Sequence, residues 1–212
     1  MKKIIYILLC LSVFSYAQKQ EKQVSVRLDT SLYEPIIGIS YFGEQGLHPG
    51  LKFSYEVPNK RIIKEKTRAR YIAPSKTYYK KKVKTRSYVG NFASYIHLNN
   101  QISFLPSFTY QRKVENKYGL TRGMGIGMGL AFNYFLNPTY AVQTGELERV
   151  LLAHRTYLTI PFHLELGLNL ERLFKVNHAI ALRAVTHILL NYNAAFLPII
   201  HAEIAYQFPI TW

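Results

Sequence analysis

The stretch at residues 158–171, LTIPFHLELGLNLE, decides the fold class of this chain. Every even position from 158 to 170 is Leu, Ile or Phe, whereas the odd positions between them are Thr, Pro, His, Glu, Gly and Asn. A period of two predicts a β-strand with one apolar and one polar face. Strands of soluble proteins usually have about five or six residues. The alternating stretch at residues 158–170 spans roughly 40 Å at about 3.3 Å per residue. This length suits a tilted crossing of the ~30 Å bilayer core.

The same alternation recurs through the chain. It is strong at residues 102–110, 124–134 and 200–212, and weaker at 36–43, 48–57, 87–98 and 179–190. With the first stretch this makes eight strands, joined by segments rich in Gly, Asn and Pro. The sequence therefore predicts an all-β fold, an antiparallel up-and-down transmembrane β-barrel over residues 36–212. Residues 18–35 precede it as an N-terminal extension, in which the run Val24, Val26 and Leu28 is either a further strand or an extended tail.

The residue types on the two faces favour a membrane barrel over a soluble sandwich. The apolar face is uninterrupted and ends in aromatic residues, as lipid-facing strands do at the headgroup level: Tyr110, Tyr134, Tyr206, Phe208 and Trp212. The polar face mixes small and polar residues, as a narrow lumen does.

The first 17 residues have the pattern of a cleavable signal peptide. Lys2 and Lys3 precede an apolar run at residues 4–14, and Ser15 and Ala17 supply the small residues of a cleavage site. An apolar run of this length is too short to span a bilayer as a helix, which needs about 20 residues. Cleavage after residue 17 also removes the single cysteine of the chain.

A cleavable signal, period-two strands and an aromatic last strand resemble the outer-membrane β-barrel proteins of Gram-negative bacteria. Residues 42–51 (FGEQGLHPGL) and 197–208 (LPIIHAEIAYQF) are similar to segments of small barrels from the Bacteroidota. The resemblance implies a multi-pass protein of the outer membrane that contacts its lipid and lipopolysaccharide. It also implies that Tyr206, Phe208 and Trp212 form the signal read by the barrel-assembly machinery. It assigns no ligand-binding or catalytic residue.

Ionisable residues cluster on the polar faces of the last three strands. Pairing these strands about their turns places Glu165 near Arg183, and His187 near His201 and Glu203. We expect a structural network of salt bridges within the lumen, formed by His163, Glu165, Arg183, His187, His201 and Glu203. A zinc site built from His187, His201 and Glu203 is the alternative. No cofactor and no catalytic residue are predicted.

Most of the net charge of +15 lies in one segment. Residues 58–86 hold twelve Lys and Arg against the single acid Glu65. The sequence predicts a long basic loop here, which is either a solvated connection or a segment that binds lipopolysaccharide, another anionic polymer or an acidic partner. The residues assigned to anion binding are Lys64, Lys66, Arg68, Arg70, Lys80, Lys81, Lys82 and Lys84. A secreted barrel does not routinely meet nucleic acid, so no nucleic-acid partner is predicted.

The sequence therefore favours a structural or interaction role over an enzymatic one. A lipid A deacylase-like hydrolase is one alternative, although the segment at His97 and Asn99 lacks a hydroxyl nucleophile beside the histidine. A narrow small-solute pore is another, although eight strands leave an interior that side chains fill. The glycines at 123, 125, 127 and 129 follow a strict period of two, so they indicate room for bulky neighbours and not a nucleotide loop.

Overall fold

A computed structural model describes most of the chain from residue 23 onwards. The described residues are 23–29, 34–44, 48–69, 77–97, 100–143, 146–150, 153–192 and 195–210. The expected signal peptide at residues 1–17 lies outside them, as do Arg70 and Trp212.

The described chain is almost entirely β-sheet. Its strands are β1 (Gln23–Asp29), β2 (Ile36–Glu44), β3 (His48–Ala69), β4 (Thr77–His97), β5 (Gln101–Asn116), β6 (Leu120–Phe135), β7 (Thr139–Gln143), β8 (Glu146–Val150), β9 (His154–Asn169), β10 (Ala179–Tyr192) and β11 (Ala195–Pro209). One helical turn, α1 (Glu171–Phe174), joins β9 to β10. Within the described ranges, no helix has the length and apolarity needed to cross a membrane.

Eight of these strands close into a ring. Each pairs antiparallel with its neighbours in the order β3-β2-β11-β10-β9-β6-β5-β4, and β4 pairs back with β3. Strand β1 lies outside the ring on β3, and β7 pairs only with β8 as a separate two-stranded sheet. The expectation of an all-β antiparallel fold with eight ring strands is confirmed.

The strands of the ring are strongly staggered. From Glu44 the paired residues run through His201, Val185, His163, Gly125, Gln111, Ser87 and Pro58. Ile36 pairs with Glu56, and extending this register by two residues puts Glu34 opposite Pro58. One circuit that starts at Glu44 therefore returns to the same chain segment ten residues away, at Glu34. A stagger of ten over eight strands corresponds to a strand tilt of about 40°, which is typical of closed sheets.

The ring is apolar outside and polar inside. Thr159 and Glu203 are completely buried, whereas Leu164 and Leu166 are 51% and 56% exposed. A soluble sheet protein has the opposite distribution, with its apolar face against the core. The two faces assigned from the sequence are therefore confirmed.

The interior does contain one apolar layer. It lies towards the end of the ring that carries β7 and β8, and it consists of Phe42, Ala93, Tyr95, Leu105, Ala131, Tyr157, Leu189 and Ile199. The polar residues occupy the interior between this layer and the other end of the ring. At that other end, which we call the terminal end, β2 begins and β11 ends, and the Ile210 N–H donates to the Pro35 carbonyl at 2.8 Å.

The expected loop at residues 58–86 is mostly strand, so this part of the prediction was wrong. Strands β3 and β4 stay paired beyond the terminal end as far as Ala69 and Thr77, after a register shift between Pro58 and Lys60. Strand β1 pairs with the extended part of β3, so the expected N-terminal extension contains a strand. We call β1, residues 60–69 and residues 77–86 the basic hairpin. Lysine is a weak strand former and both faces of this segment carry charge, so no period-two pattern revealed the strands.

Candidate functional site

A continuous chain of ion pairs fills the interior beside the terminal end. Glu203 accepts from Lys52 Nζ at 2.8 Å through Oε2 and from Arg183 Nη1 at 2.7 Å through Oε1. The Nε of the same guanidinium donates to Glu165 Oε2 at 2.6 Å. Lys113 Nζ then lies 3.5 Å from Glu165 Oε1. We call this chain of side chains, with its continuation at Glu56, the interior network.

Lys113 carries the interior network across the ring. Its Nζ donates to Glu56 Oε2 at 2.7 Å and to Gln207 Oε1 at 3.3 Å. Neither β3 nor β11, which carry these two acceptors, is a neighbour of β5 in the ring. The Ser87 hydroxyl donates to the other oxygen of Glu56 at 2.7 Å. Side chains therefore meet across the lumen at this level, as expected for a ring of eight strands.

The charges of the interior network balance. Lys52, Lys113 and Arg183 face Glu56, Glu165 and Glu203, so three positive groups meet three negative ones. Burying a charge without a partner is costly, and pairing it within hydrogen-bond distance offsets that cost. The arrangement acts chemically as a rigid polar plug whose donors and acceptors satisfy one another.

The structure brings the six expected lumen residues together in the interior. Glu165, Arg183 and Glu203 lie in the ion-pair chain itself, and the pairing of Glu165 with Arg183 follows from their direct register. The three histidines are buried next to it, at 6% exposure or less. His187 and His201 stack with ring centroids 5.3 Å apart, and His201 also packs on Phe42.

The histidines are not arranged as a metal site. Within the described ranges no group of three or more His, Cys, Asp or Glu side chains has an arrangement that could hold a metal ion. Glu203 directs its oxygens to Lys52 and Arg183. Two histidine nitrogens, His163 Nε2 and His187 Nδ1, have no hydrogen-bond partner among the described protein atoms.

Sequence reasoning missed half of the interior network. Lys52, Glu56 and Lys113 were not among the expected lumen residues. Lys52 and Glu56 do share a parity in β3, and the exposed Phe53 and Tyr55 take the other. In β5 the alternation of polar and apolar residues ends at Gln111, because Arg112 and Lys113 are both charged. Following the period-two pattern of β3 would have found Lys52 and Glu56, but no such pattern marks Lys113.

The glycine row of β6 has the structural role expected for it. A Cβ on Gly125 would collide with the imidazole of His163, and one on Gly127 would collide with the backbone at Phe108. These glycines let β5 and the lumen side chains approach β6 closely.

The basic hairpin presents most of its positive charge on one face. Lys64 faces Lys82 and Lys66 faces Lys80 across the β3–β4 register, on the side of the sheet that continues the outer face of the ring. Lys84 lies on the same face, opposite Ile62. Two further residues were assigned to anion binding. The structure describes only the backbone of Arg68, and Arg70 lies outside the described residues.

Lys81 does not belong to that face, which corrects the expected anion-binding set. It points to the other side of the sheet, where its Nζ lies 3.8 Å from Glu65 Oε1. Side chains alternate along a strand, so three consecutive lysines cannot share one face.

The remaining expected residues lie at the ends of the ring. Tyr206 and Phe208 are on β11 near the terminal end, where both rings pack against His178. Their role as an assembly signal stays a prediction. His97 is the last residue of β4, and Asn99, the other residue considered for a hydrolase, lies outside the described residues.

Comparisons with known proteins add little to this description. No family model matches the chain, and no curated protein is significantly similar to it. One solved structure, described as "Unveiling the Mechanism Behind the in-meso Crystallization of Membrane Proteins", aligns over 85% of this chain and 86% of its own, at 6% identity and a TM-score of 0.22. A likeness at that score supports neither a fold nor a function.

Proposed function

We propose that this protein is a transmembrane β-barrel of the outer membrane of a Gram-negative bacterium, with a structural or interaction role. The main observation behind this proposal is that the ring has polar side chains inside and apolar side chains outside, the reverse of a soluble sheet protein. A balanced ion-pair network is buried inside, while residues such as Phe53, Leu164 and Ile204 are more than half exposed outside. An apolar surface of that extent is stable against lipid and not against water.

The aromatic residues at the two ends of the ring support the same proposal. Tyr110 and Tyr206 lie on the outer face near the terminal end, and Tyr134 lies near the opposite end. Tyrosine favours the membrane interface because its ring is apolar and its hydroxyl is polar.

We further propose that the basic hairpin is the element through which the protein meets anionic envelope polymers or an acidic partner. Its outer face carries Lys64, Lys66, Lys80, Lys82 and Lys84. Each exposed contact is weak alone, but several contacts add up, and they weaken as salt rises because the Debye length is about 8 Å at physiological ionic strength.

Depth-dependent labelling tests the membrane assignment. Residues 18–212, which remain if the expected signal peptide is cleaved, contain no cysteine, so Leu164→Cys and Lys64→Cys can each carry one environment-sensitive fluorophore. When the protein is refolded into vesicles, the label at 164 should show the emission expected in hydrocarbon and should resist an aqueous quencher. The label at 64 should be quenched. Equal quenching of the two labels would contradict a membrane-embedded ring.

Binding to lipopolysaccharide tests the role of the hairpin. Lys80→Glu with Lys82→Glu should weaken binding at low salt, while Lys175→Glu with Arg155→Glu changes the net charge equally outside the hairpin. Equal losses in the two double variants would contradict a role for the hairpin. A changed lipid A mass on overexpression would indicate an enzyme instead, and ion conductance in a planar bilayer would indicate a pore.

A further inference from the structure

Three cations form a row across three strands at the terminal end. Arg86 on β4 faces Lys60 on β3 and Arg112 on β5, so the three lie side by side on the outer face. The ion pairs among the described residues include none of the three. Like charges directly opposite each other destabilise a sheet. An external anion would remove that repulsion.

The surroundings of the row strengthen its positive field. Lys84 follows one step farther along the hairpin, and Arg122 lies on the same face of β6, opposite Val114. The described carboxylates closest along these strands are Glu56 and Glu115, and both take the alternate parity that faces away from the row.

The row begins where the apolar outer surface of the ring ends. Two residues before it along the strands lie Tyr88 and Tyr110, with ring centroids 5.7 Å apart, and Phe108 stacks on Tyr88 at 5.8 Å. Two residues correspond to about 6 to 7 Å along a strand. An aromatic layer followed at this spacing by cations matches the depth of lipid phosphates.

A depression in the outer surface lies beyond the aromatic layer, on its apolar side. Gly90 points outwards, and a Cβ placed on it would meet nothing within 4 Å. Phe53, Tyr55, Phe92 and Phe108 border this position, so one missing side chain leaves a gap among bulky ones. Gly90 lies four residues from Arg86, or about 13 Å, which is within the length of one acyl chain.

We propose that Lys60, Arg86 and Arg112 bind the phosphate of an anionic glycerophospholipid whose acyl chain lies in the depression at Gly90. This inference rests on the proposed function, because only a membrane-embedded ring presents the row to lipid. The depression results from one missing side chain at Gly90 and fits one acyl chain, which favours a lipid with few chains over lipid A. Bound lipid would neutralise the row and fix the height of the ring in the bilayer.

The test is retention of defined lipids by the refolded full-length mature protein, counted by native mass spectrometry. Phosphatidylglycerol, phosphatidylcholine and lipopolysaccharide are each added to separate samples in a zwitterionic detergent. The wild type should retain phosphatidylglycerol in preference to phosphatidylcholine. Arg86→Gln with Arg112→Gln should lower the apparent affinity by about fivefold for each cation removed.

Two further variants separate a site from general electrostatics. Lys81→Gln with Lys175→Gln removes the same charge from positions off the outer face, and it should keep the affinity of the wild type. Gly90→Leu fills the depression without changing charge, and it should weaken phosphatidylglycerol retention while heat-modifiable mobility stays normal.

Each failure has a distinct meaning. Equal losses in the two double variants, or no preference for phosphatidylglycerol by a correctly inserted wild type, would overturn this inference alone. If Arg86→Gln with Arg112→Gln lowers lipopolysaccharide retention more than phosphatidylglycerol retention, the choice of lipid is overturned, because lipopolysaccharide held by Lys64, Lys66, Lys80 and Lys82 does not need the row. A protein that stays soluble without detergent and does not insert into vesicles would overturn the proposed function and, with it, the lipid site.

Discussion

Strands β3 and β4 run through two regions that use charge in opposite ways. Within the ring, Lys52 on β3 is buried and lies 2.8 Å from Glu203. In the basic hairpin, Lys64 on the same strand faces Lys82 on β4. The ring pairs every charge of its interior network, whereas the hairpin repeats one sign on its outer face. The difference indicates that the charges of the ring neutralise one another, whereas the outer face of the hairpin keeps an excess of positive charge.

The comparison predicts that losing one carboxylate is far more harmful in the ring than in the hairpin. Glu203→Gln leaves Lys52 and Arg183 buried without their shared counter-charge, which should cost about 3 to 5 kcal/mol of unfolding free energy. Glu65→Gln breaks a partly exposed pair with Lys81, 3.8 Å apart, and should cost about 0 to 1 kcal/mol. Urea unfolding in phospholipid vesicles, followed by heat-modifiable mobility, measures both. Similar costs for the two variants would show that the buried charges of the interior network do not depend on pairing with one another.

A second prediction compares the outer faces of the two regions. Leu164→Arg places a charge on the lipid-facing side of the ring, where it should cost about 2 to 4 kcal/mol. Val26→Arg makes the same change on the outer face of β1 in the hairpin, which the proposed function leaves in water, and should cost about 1 kcal/mol or less, mainly through repulsion from Lys64 opposite it. The same unfolding assay applies. Equal tolerance of the two arginines would reverse the assignment of the lipid-facing surface.

The ring could be predicted from the sequence because its faces differ. The period of two at residues 158–170 gave the strand, its length and its outward face, and direct register then placed Glu165 beside Arg183. The hairpin could not be predicted in this way, since Lys64 and Glu65 are both polar and no face stands out.

The contacts of the full interior network could not be predicted from the sequence either. Glu165 and Arg183 are on neighbouring strands, so their contact follows from local pairing. Lys113 meets Glu56 across the lumen, and that contact depends on the stagger of the whole ring. A ten-residue stagger is fixed by all eight registers together, and no single strand pattern contains it.

A third prediction concerns how closely the ring is packed. A Cβ at Gly127 would overlap the backbone of β5, so Gly127→Ala should cost about 1 to 3 kcal/mol through forced backbone movement. Gly90→Ala on the outer face meets open space and should be neutral or slightly stabilising. Both variants should be compared in the same vesicle unfolding assay. A neutral Gly127→Ala would mean that β5 and β6 can separate without loss, in contrast to the rigid ring described above.

The smallest expected effect comes from removing most of the basic hairpin. Residues 64–82 can be replaced by Asn-Gly, which leaves Ile63 and the buried Val83 as the last pair of β3 and β4. No member of the interior network lies in the deleted segment, so the unfolding free energy of the ring should change by about 0.5 kcal/mol or less. Binding to lipopolysaccharide should fall, because the lysines at 64, 66, 80 and 82 are gone. A truncated protein that no longer gives a heat-modifiable form would show instead that the hairpin is needed to close the ring, and the division between a stabilising ring and an interacting hairpin would then fail.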